Sequence, residues 1–271
     1  MPLDPDQLAD EAIQFTAAPI DPEAIERWRE MYRSEMACQI IHESIHWRPG
    51  WTREYVLRVG SMRVGYGSVA VAGPWAGTPT VYEVYIGPEH RSYVFDLCRA
   101  LLDASGAVAI EVQTNDALST VMLDTFAHDV KVEAILFDDR LTTTLPPPPN
   151  AVFRTASVAE APDANADQLR WRGVVEVDGT VAATGGVLFH YNRPYGDVYM
   201  DVAEPFRRRG LGTFIVQELK RLCYEGGYVP AARCSPGNVA SHQTLQRAGF
   251  ARCGQILKGS VPNRREPATE R

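Results

Sequence analysis

Polar and apolar residues alternate along Gly196-Asp197-Val198-Tyr199-Met200-Asp201-Val202, as they do on a strand, and from Phe214 to Leu222 the apolar residues recur at helical spacing. The turn between them, Val202-Ala203-Glu204-Pro205-Phe206-Arg207-Arg208-Arg209-Gly210-Leu211-Gly212-Thr213, therefore opens a helix. The same patterning predicts strands over 151–155, 168–177 and 228–234, an Asp178-Gly179 hairpin turn, and a helix led by Asn238 that ends at Gly249-Phe250. Near the start of the chain, Asp21-Pro22-Glu23 reads as a helix entrance with Asp at the cap and Pro in the first turn, the helix running to Met31.

Punctuation divides the chain at Thr142 to Asn150, where Pro146-Pro147-Pro148-Pro149 removes backbone donors and stiffens the connection. The expected organisation is a domain over 1–141, a linker over 142–150 and a domain over 151–271. The two halves echo each other. Gly65 to Gly73 resembles Gly179 to Gly186, Val81-Tyr82-Glu83-Val84 resembles Val198-Tyr199-Met200-Asp201, and the helix after Asn115 resembles the one after Asn238. Matching Arg99-Ala100-Leu101 to the neighbourhood of Arg221 implies that about four residues are missing from the first copy between strand and helix. Gly87 to Val94 stands there without a Gly-x-Gly, and Tyr93 is too bulky for a site where main chain must approach a ligand.

The turn in the second copy has the chemistry of a phosphate cradle. Backbone N–H groups at a helix start are unpaired, the helix dipole favours negative charge, glycines allow close approach, and Arg207, Arg208 and Arg209 add charge-assisted bonds. This Arg-x-x-Gly-x-Gly, with the Asn238 helix following, resembles the acyl-CoA pyrophosphate loop of the GNAT superfamily of N-acyltransferases. The resemblance implies an α/β fold of two tandem GNAT-like domains, each a central mixed sheet flanked by helices. It implies acetyl-CoA or another acyl-CoA as co-substrate, held by Val202, Ala203, Arg207, Arg208, Arg209, Gly210, Leu211, Gly212, Thr213, Asn238 and Ser241. The first copy is then expected to bind no coenzyme A but to wall the acceptor pocket, a layout similar to that of mycothiol synthase in the same superfamily. Only Ala159 to Asp167 lies where superfamily members usually carry two helices over the acceptor side, a gap for the first copy to close.

Acyl transfer needs an amine brought to the thioester and a group to take its proton. Many superfamily members place an acid Tyr where this chain has Leu245; a thiol of pKa near 8.5 is a tolerable leaving group without it. Asp197, Tyr199 and Asp201 share one strand face beside the expected acyl position, with the alternative that they are ordinary exposed or edge residues. His190 and Tyr191, in the turn leading into that strand, are the next candidates for the catalytic machinery. Glu204 reads as a surface loop carboxylate, and Cys234 as an apolar filler rather than an acyl carrier. In the dense run His42 to Trp51, His42 and His46 fall four apart, but Pro49-Gly50 ends the segment and no third ligand is evident, so no metal is expected; a lining of the acceptor pocket is the next reading and a packed helix end the plainest.

Composition sets the outer bounds. The 271 residues are 45% hydrophobic and 23% charged, enough for one large core or two small ones. A formal charge of −7 argues against a general nucleic-acid surface and suits a cationic amine acceptor, small molecule or peptide. Five cysteines without a C-x-x-C pair, and no secretory pattern or apolar run near 20 residues, predict a cytoplasmic protein with reduced thiols, monomeric or homodimeric. The leading expectation is a GNAT-type N-acyltransferase acting by direct attack in a ternary complex. A non-catalytic acyl-CoA-binding or scaffold protein is the alternative, and a Fem-type aminoacyl-tRNA-dependent transferase disagrees with the intact cradle and the acidic balance.

Overall fold

The structure, a computed structural model, describes residues 13–156 and 169–262. In the first copy β1 (Phe15–Ile20), β2 (Thr52–Val59), β3 (Met62–Ala70) and β4 (Thr80–Ile86) pair antiparallel in order, and α1 (Glu26–Met36) lies between β1 and β2 in the chain. Next come α2 (Val94–Ser105), β5 (Ala109–Gln113), α3 (Ala117–Phe126) and β6 (His128–Asp139). The second copy repeats the series with β7 (Ala151–Thr155), β8 (Leu169–Val177), β9 (Thr180–Leu188), β10 (Tyr195–Val202), α4 (Leu211–Glu225), β11 (Val229–Cys234), α5 (Val239–Arg247) and β12 (Phe250–Ser260). In each copy one central pair is parallel and short: β4 meets β5 only at Thr80–Ala109 and Val81–Ile110, and β10 meets β11 only at Tyr195–Val229 to Asp197–Ala231.

The two copies exchange their last strands. Sheet order is β1-β2-β3-β4-β5-β12-β6-β11-β10-β9-β8-β7, so β12 of the second copy lies against β5 of the first, and β6 of the first lies against β11 of the second. β6 and β12 also pair with each other along most of their length. The result is one twelve-stranded mixed sheet whose centre belongs to neither copy alone. The proline segment does not separate the copies: Leu145 exchanges two hydrogen bonds with the Gln217 amide on α4, at 2.8 and 3.0 Å.

Each copy packs its main helix on its sheet through a leucine that fits over a glycine. A Cβ on Gly67 would come within 2.3 Å of Leu101, and one on Gly185 within 3.0 Å of Leu219. Both leucines are fully buried, in the two largest apolar clusters.

This correspondence corrects the spacing read from the sequence. Leu101 answers to Leu219, not to the neighbourhood of Arg221, and the strand-to-helix loop of the first copy, 87–93, is only one residue shorter than 203–210. The cradle conformation is lost rather than deleted. Pro88–Tyr93 coils into a 3₁₀ turn that uses its own N–H groups, as in His90 N–H to Gly87 O at 2.8 Å, and no residue of 87–93 has a positive φ. One trace of common design survives. Arg91 Nε donates to Ile86 O at 3.1 Å, as Arg207 Nε donates to Val202 O at 3.0 Å.

Three smaller expectations also change. Asp21 makes no side-chain cap; Pro22–Ile25 is a 3₁₀ turn and the helix proper runs Glu26–Met36. The third helix is capped by Asp116, whose carboxylate accepts from Ser119 N, one residue after Asn115. The histidine-rich segment is a 3₁₀ turn over Glu43–Trp47, not the end of an α-helix. Asp178 and Gly179 both have positive φ, as the hairpin turn requires. The short stretch Ala159 to Asp167 lies outside the described residues, and no described helix is long and apolar enough to cross a membrane.

Candidate functional site

The second-copy turn is built as a concave run of main chain. Arg208 and Gly210 have positive φ, 63° and 82°, and alternate with residues of ordinary φ, which turns successive N–H groups toward one side ahead of α4. The first N–H groups of that helix have no partner inside it. Arg207, Arg208 and Arg209 are exposed around the turn, and Arg209 lies over the Phe206 ring at 5.3 Å. Gly212 serves packing as well as access, because a Cβ there would sit 3.2 Å from Thr244 on α5 and 3.5 Å from Val202. Asn238 caps α5, its side-chain oxygen accepting from Ser241 N at 3.0 Å.

Beyond Asp197 and Ala231, β10 and β11 part. The β10–β11 register ends at Asp197, while the other edge of β10 stays paired with β9 to Val202. A cleft of about 880 Å³ opens there. Val198, Tyr199, Met200, Cys234, Asn238 and Ser241 line it from the second copy; His42, Ile45, Arg48, Trp51, Trp75 and Glu111 do so from the first. Leu245 lines it as well and is buried.

Two acid–base clusters face each other in this cleft. His190 Nε2 lies 2.8 Å from Asp197 Oδ2, and Arg233 Nε approaches the same oxygen at 3.8 Å. From the first copy, His42 Nε2 lies 2.7 Å from Glu111 Oε1, and Glu111 Oε2 receives Trp75 Nε1–H at 3.1 Å and Lys258 Nζ at 3.3 Å. Burial works against the Glu111 charge, but His42, Lys258 and Trp75 outweigh it and bring its pKa down to about 2. Main-chain and side-chain hydrogen bonds tie the segments that carry the clusters: Ser44 N–H donates to His190 O at 3.1 Å, Ile40 N–H to Asn192 Oδ1 at 2.6 Å, and Tyr195 Oη to Ala37 O at 3.0 Å.

The sequence candidates separate accordingly. His190, Asp197 and Tyr199 line the cleft. Asp201 is exposed and does not line it. Tyr191 is buried beneath His190, its ring 4.5 Å away, and desolvation with the nearby Asp197 charge raises its pKa well above the usual phenol. Cys234 is buried, and desolvation raises its thiol pKa, opposite to an activated thiolate. His46 is enclosed away from the cleft, between Glu54 and Glu83 at 3.2 and 3.1 Å. Of the His42 to Trp51 run, His42, Arg48 and Trp51 line the cleft, whereas Arg233, Glu111, Lys258 and Trp75 carry no signal in the sequence. Each stands on a strand or turn whose local pattern is ordinary, and only the exchanged sheet gathers them.

Residues 139–250 match the model of the Acetyltransferase (GNAT) family. This segment is a domain of the GNAT family. Over the whole chain the fold is similar to that of an acetyltransferase from the GNAT family of Colwellia psychrerythraea, at 14% identity and a TM-score of 0.66, covering 91% of this chain and 100% of the other. A tandem GNAT protein from the clavulanic acid biosynthesis pathway gives 14% and 0.59 over 92% and 99%. A GCN5-related N-acetyltransferase from Sphaerobacter thermophilus gives 13% and 0.58 over 92% and 96%. At such identities the likeness is one of fold, and the fold is that of tandem GNAT-like copies. No curated protein matches the sequence.

Proposed function

We propose that the chain is an N-acyltransferase that moves an acetyl or other short acyl group from acyl-CoA to an amine, with the donor on the second copy and the acceptor in the cleft between copies. The observation that carries this reading is the continuity of the parted β10–β11 edge with the His190–Asp197 pair in one cleft walled by both copies. The positive-φ turn at Arg208 and Gly210, with the unpaired N–H groups of α4, suits a diphosphate. The open β10 edge suits the amides of a pantetheine arm, which would add to the sheet as a strand does. Acyl-CoA supplies the activated thioester carbonyl.

In this reading His190 is the base. Its Nε2–H donates to Asp197, which fixes the tautomer and leaves Nδ1 to accept the amine proton. The amine lone pair forms the new N–C bond, the C–S bond breaks, and the thiolate leaves with the electron pair. Leu245 offers that thiolate no proton, and a thiol of pKa near 8.5 tolerates the absence. The test is amine-dependent release of free thiol from acetyl-CoA together with donor binding by calorimetry. Turnover supports the transferase; binding without turnover on any amine or acyl length supports the non-catalytic acyl-CoA-binding alternative.

A further inference from the structure

The charges of the cleft do not all pair within it. Arg233 stands by Asp197 and Lys258 by Glu111, whereas Arg48, which also lines the cleft, has no carboxylate partner among the described residues. Its guanidinium lies over the Trp51 ring, 4.5 Å from the centroid. Stacking of this kind shields one face of the group and leaves the in-plane N–H edge free, the edge that grips a carboxylate with two parallel bonds.

The support beneath Arg48 is built into the fold. Gly73, at φ 59°, leaves room for Trp51: a Cβ there would come within 2.5 Å of the indole. Trp51 is fixed at its backbone by N–H to Arg48 O at 3.1 Å and by Val71 N–H to its own carbonyl at 2.8 Å. Arg48 closes the 3₁₀ turn whose His46 is locked between Glu54 and Glu83. Beside it Pro74 and the buried Trp75 give the cleft an apolar wall.

A second charge without a partner among the described residues sets the polarity. Glu133 lines the cleft, is exposed, and is the residue left over at a bulge where Ile256 pairs Ala134 but Leu257 pairs Val132. Bulges re-aim side chains in this way. A carboxylate entering the cleft is repelled at Glu133 and attracted at Arg48.

From this we infer that the acceptor carries a carboxylate as well as its amine, an amino acid or similar amino-carboxylate, and that Arg48 anchors that carboxylate. The inference rests on the transferase reading and names its acceptor class. Thiol release from acetyl-CoA is compared for matched pairs: phenylalanine with phenethylamine, leucine with isopentylamine, lysine with cadaverine. In the full chain the carboxylate member of at least one pair should be favoured, mainly through KM, by roughly 10- to 100-fold, the range for a charge-assisted carboxylate contact. Arg48→Gln should bring the ratio within each pair to about one, and Arg48→Lys should retain part of the preference. Binding of N-acetylphenylalanine, N-acetylleucine and N-acetyllysine by calorimetry should fall in parallel. Decarboxylated amines as good as their partners, or an Arg48→Gln loss equal for both members of each pair, would overturn the inference and leave the transferase standing. Should no amine release thiol, the transferase reading fails and calorimetry decides alone: binding that depends on Arg48 keeps a carboxylate site, and no such binding ends it.

Discussion

Lys220 Nζ, fully buried on α4, lies 2.6 Å from Asp139 Oδ1 at the end of the strand that the first copy gives to the second. The same ammonium donates to Leu141 O and Ala248 O, both at 2.7 Å, and Tyr224 Oη donates to the other Asp139 oxygen. One side chain thus ties together the end of β6, the start of the proline segment and the end of α5. Lys220→Met should destabilise the protein by about 3 kcal/mol or more, since it leaves a carboxylate and two carbonyls unserved. Denaturant midpoints measure the loss, and adding Asp139→Asn should recover part of it.

Strand exchange makes a stronger demand. With β12 seated on β5 and β6 on β11, neither 1–141 nor 151–271 completes its own sheet. Expressed separately, each piece should expose long unpaired strand edges and aggregate or remain partly unfolded. Co-expressed, the two should assemble into a complex that melts cooperatively. Two independently folded monomers would contradict the exchanged arrangement.

Gly210 is held at φ 82°, and a Cβ added there would meet little except Pro148 Cγ, at 3.7 Å. Gly210→Ala therefore costs backbone strain, about 1–2 kcal/mol, more than sterics. It should raise the Kd for acetyl-CoA about tenfold or more while leaving acceptor-product binding unchanged. Calorimetry on both ligands separates these effects.

Much of this is legible in the residue order. Arg207 to Thr213 and the Asn238 helix announce themselves locally, because glycines, arginines and a capping side chain have position-specific work. The exchange is not legible, since the alternation in Phe250 to Ser260 fixes which faces are buried but not which strand lies alongside. For the same reason Glu111 and Lys258, neighbours across β5 and β12, give no sign of meeting. The apparent four-residue gap comes from matching arginines on exposed helix faces. The buried leucines over Gly67 and Gly185 carry the true correspondence.

His46 gives the fold a pH signature. Burial pulls its pKa down, but the Glu83 and Glu54 carboxylates outweigh burial and raise it to about 9. A raised folded-state pKa means that the His46 contribution is complete below the unfolded value near 6.5 and is lost as pH rises through about 9. Thermal midpoints should fall over that window in the wild type. In His46→Gln the midpoint should be lower at neutral pH and the decline across the window shallower.

If a donor held on the second copy meets a base facing the inter-copy cleft, single-turnover thiol release with His190→Gln reads that step. The expected result is unchanged acetyl-CoA binding with the amine-dependent rate reduced by about 10² to 10⁴, the usual contribution of a positioned base. Unchanged turnover in that variant, or donor binding without thiol release in the wild type on any amine, would contradict it.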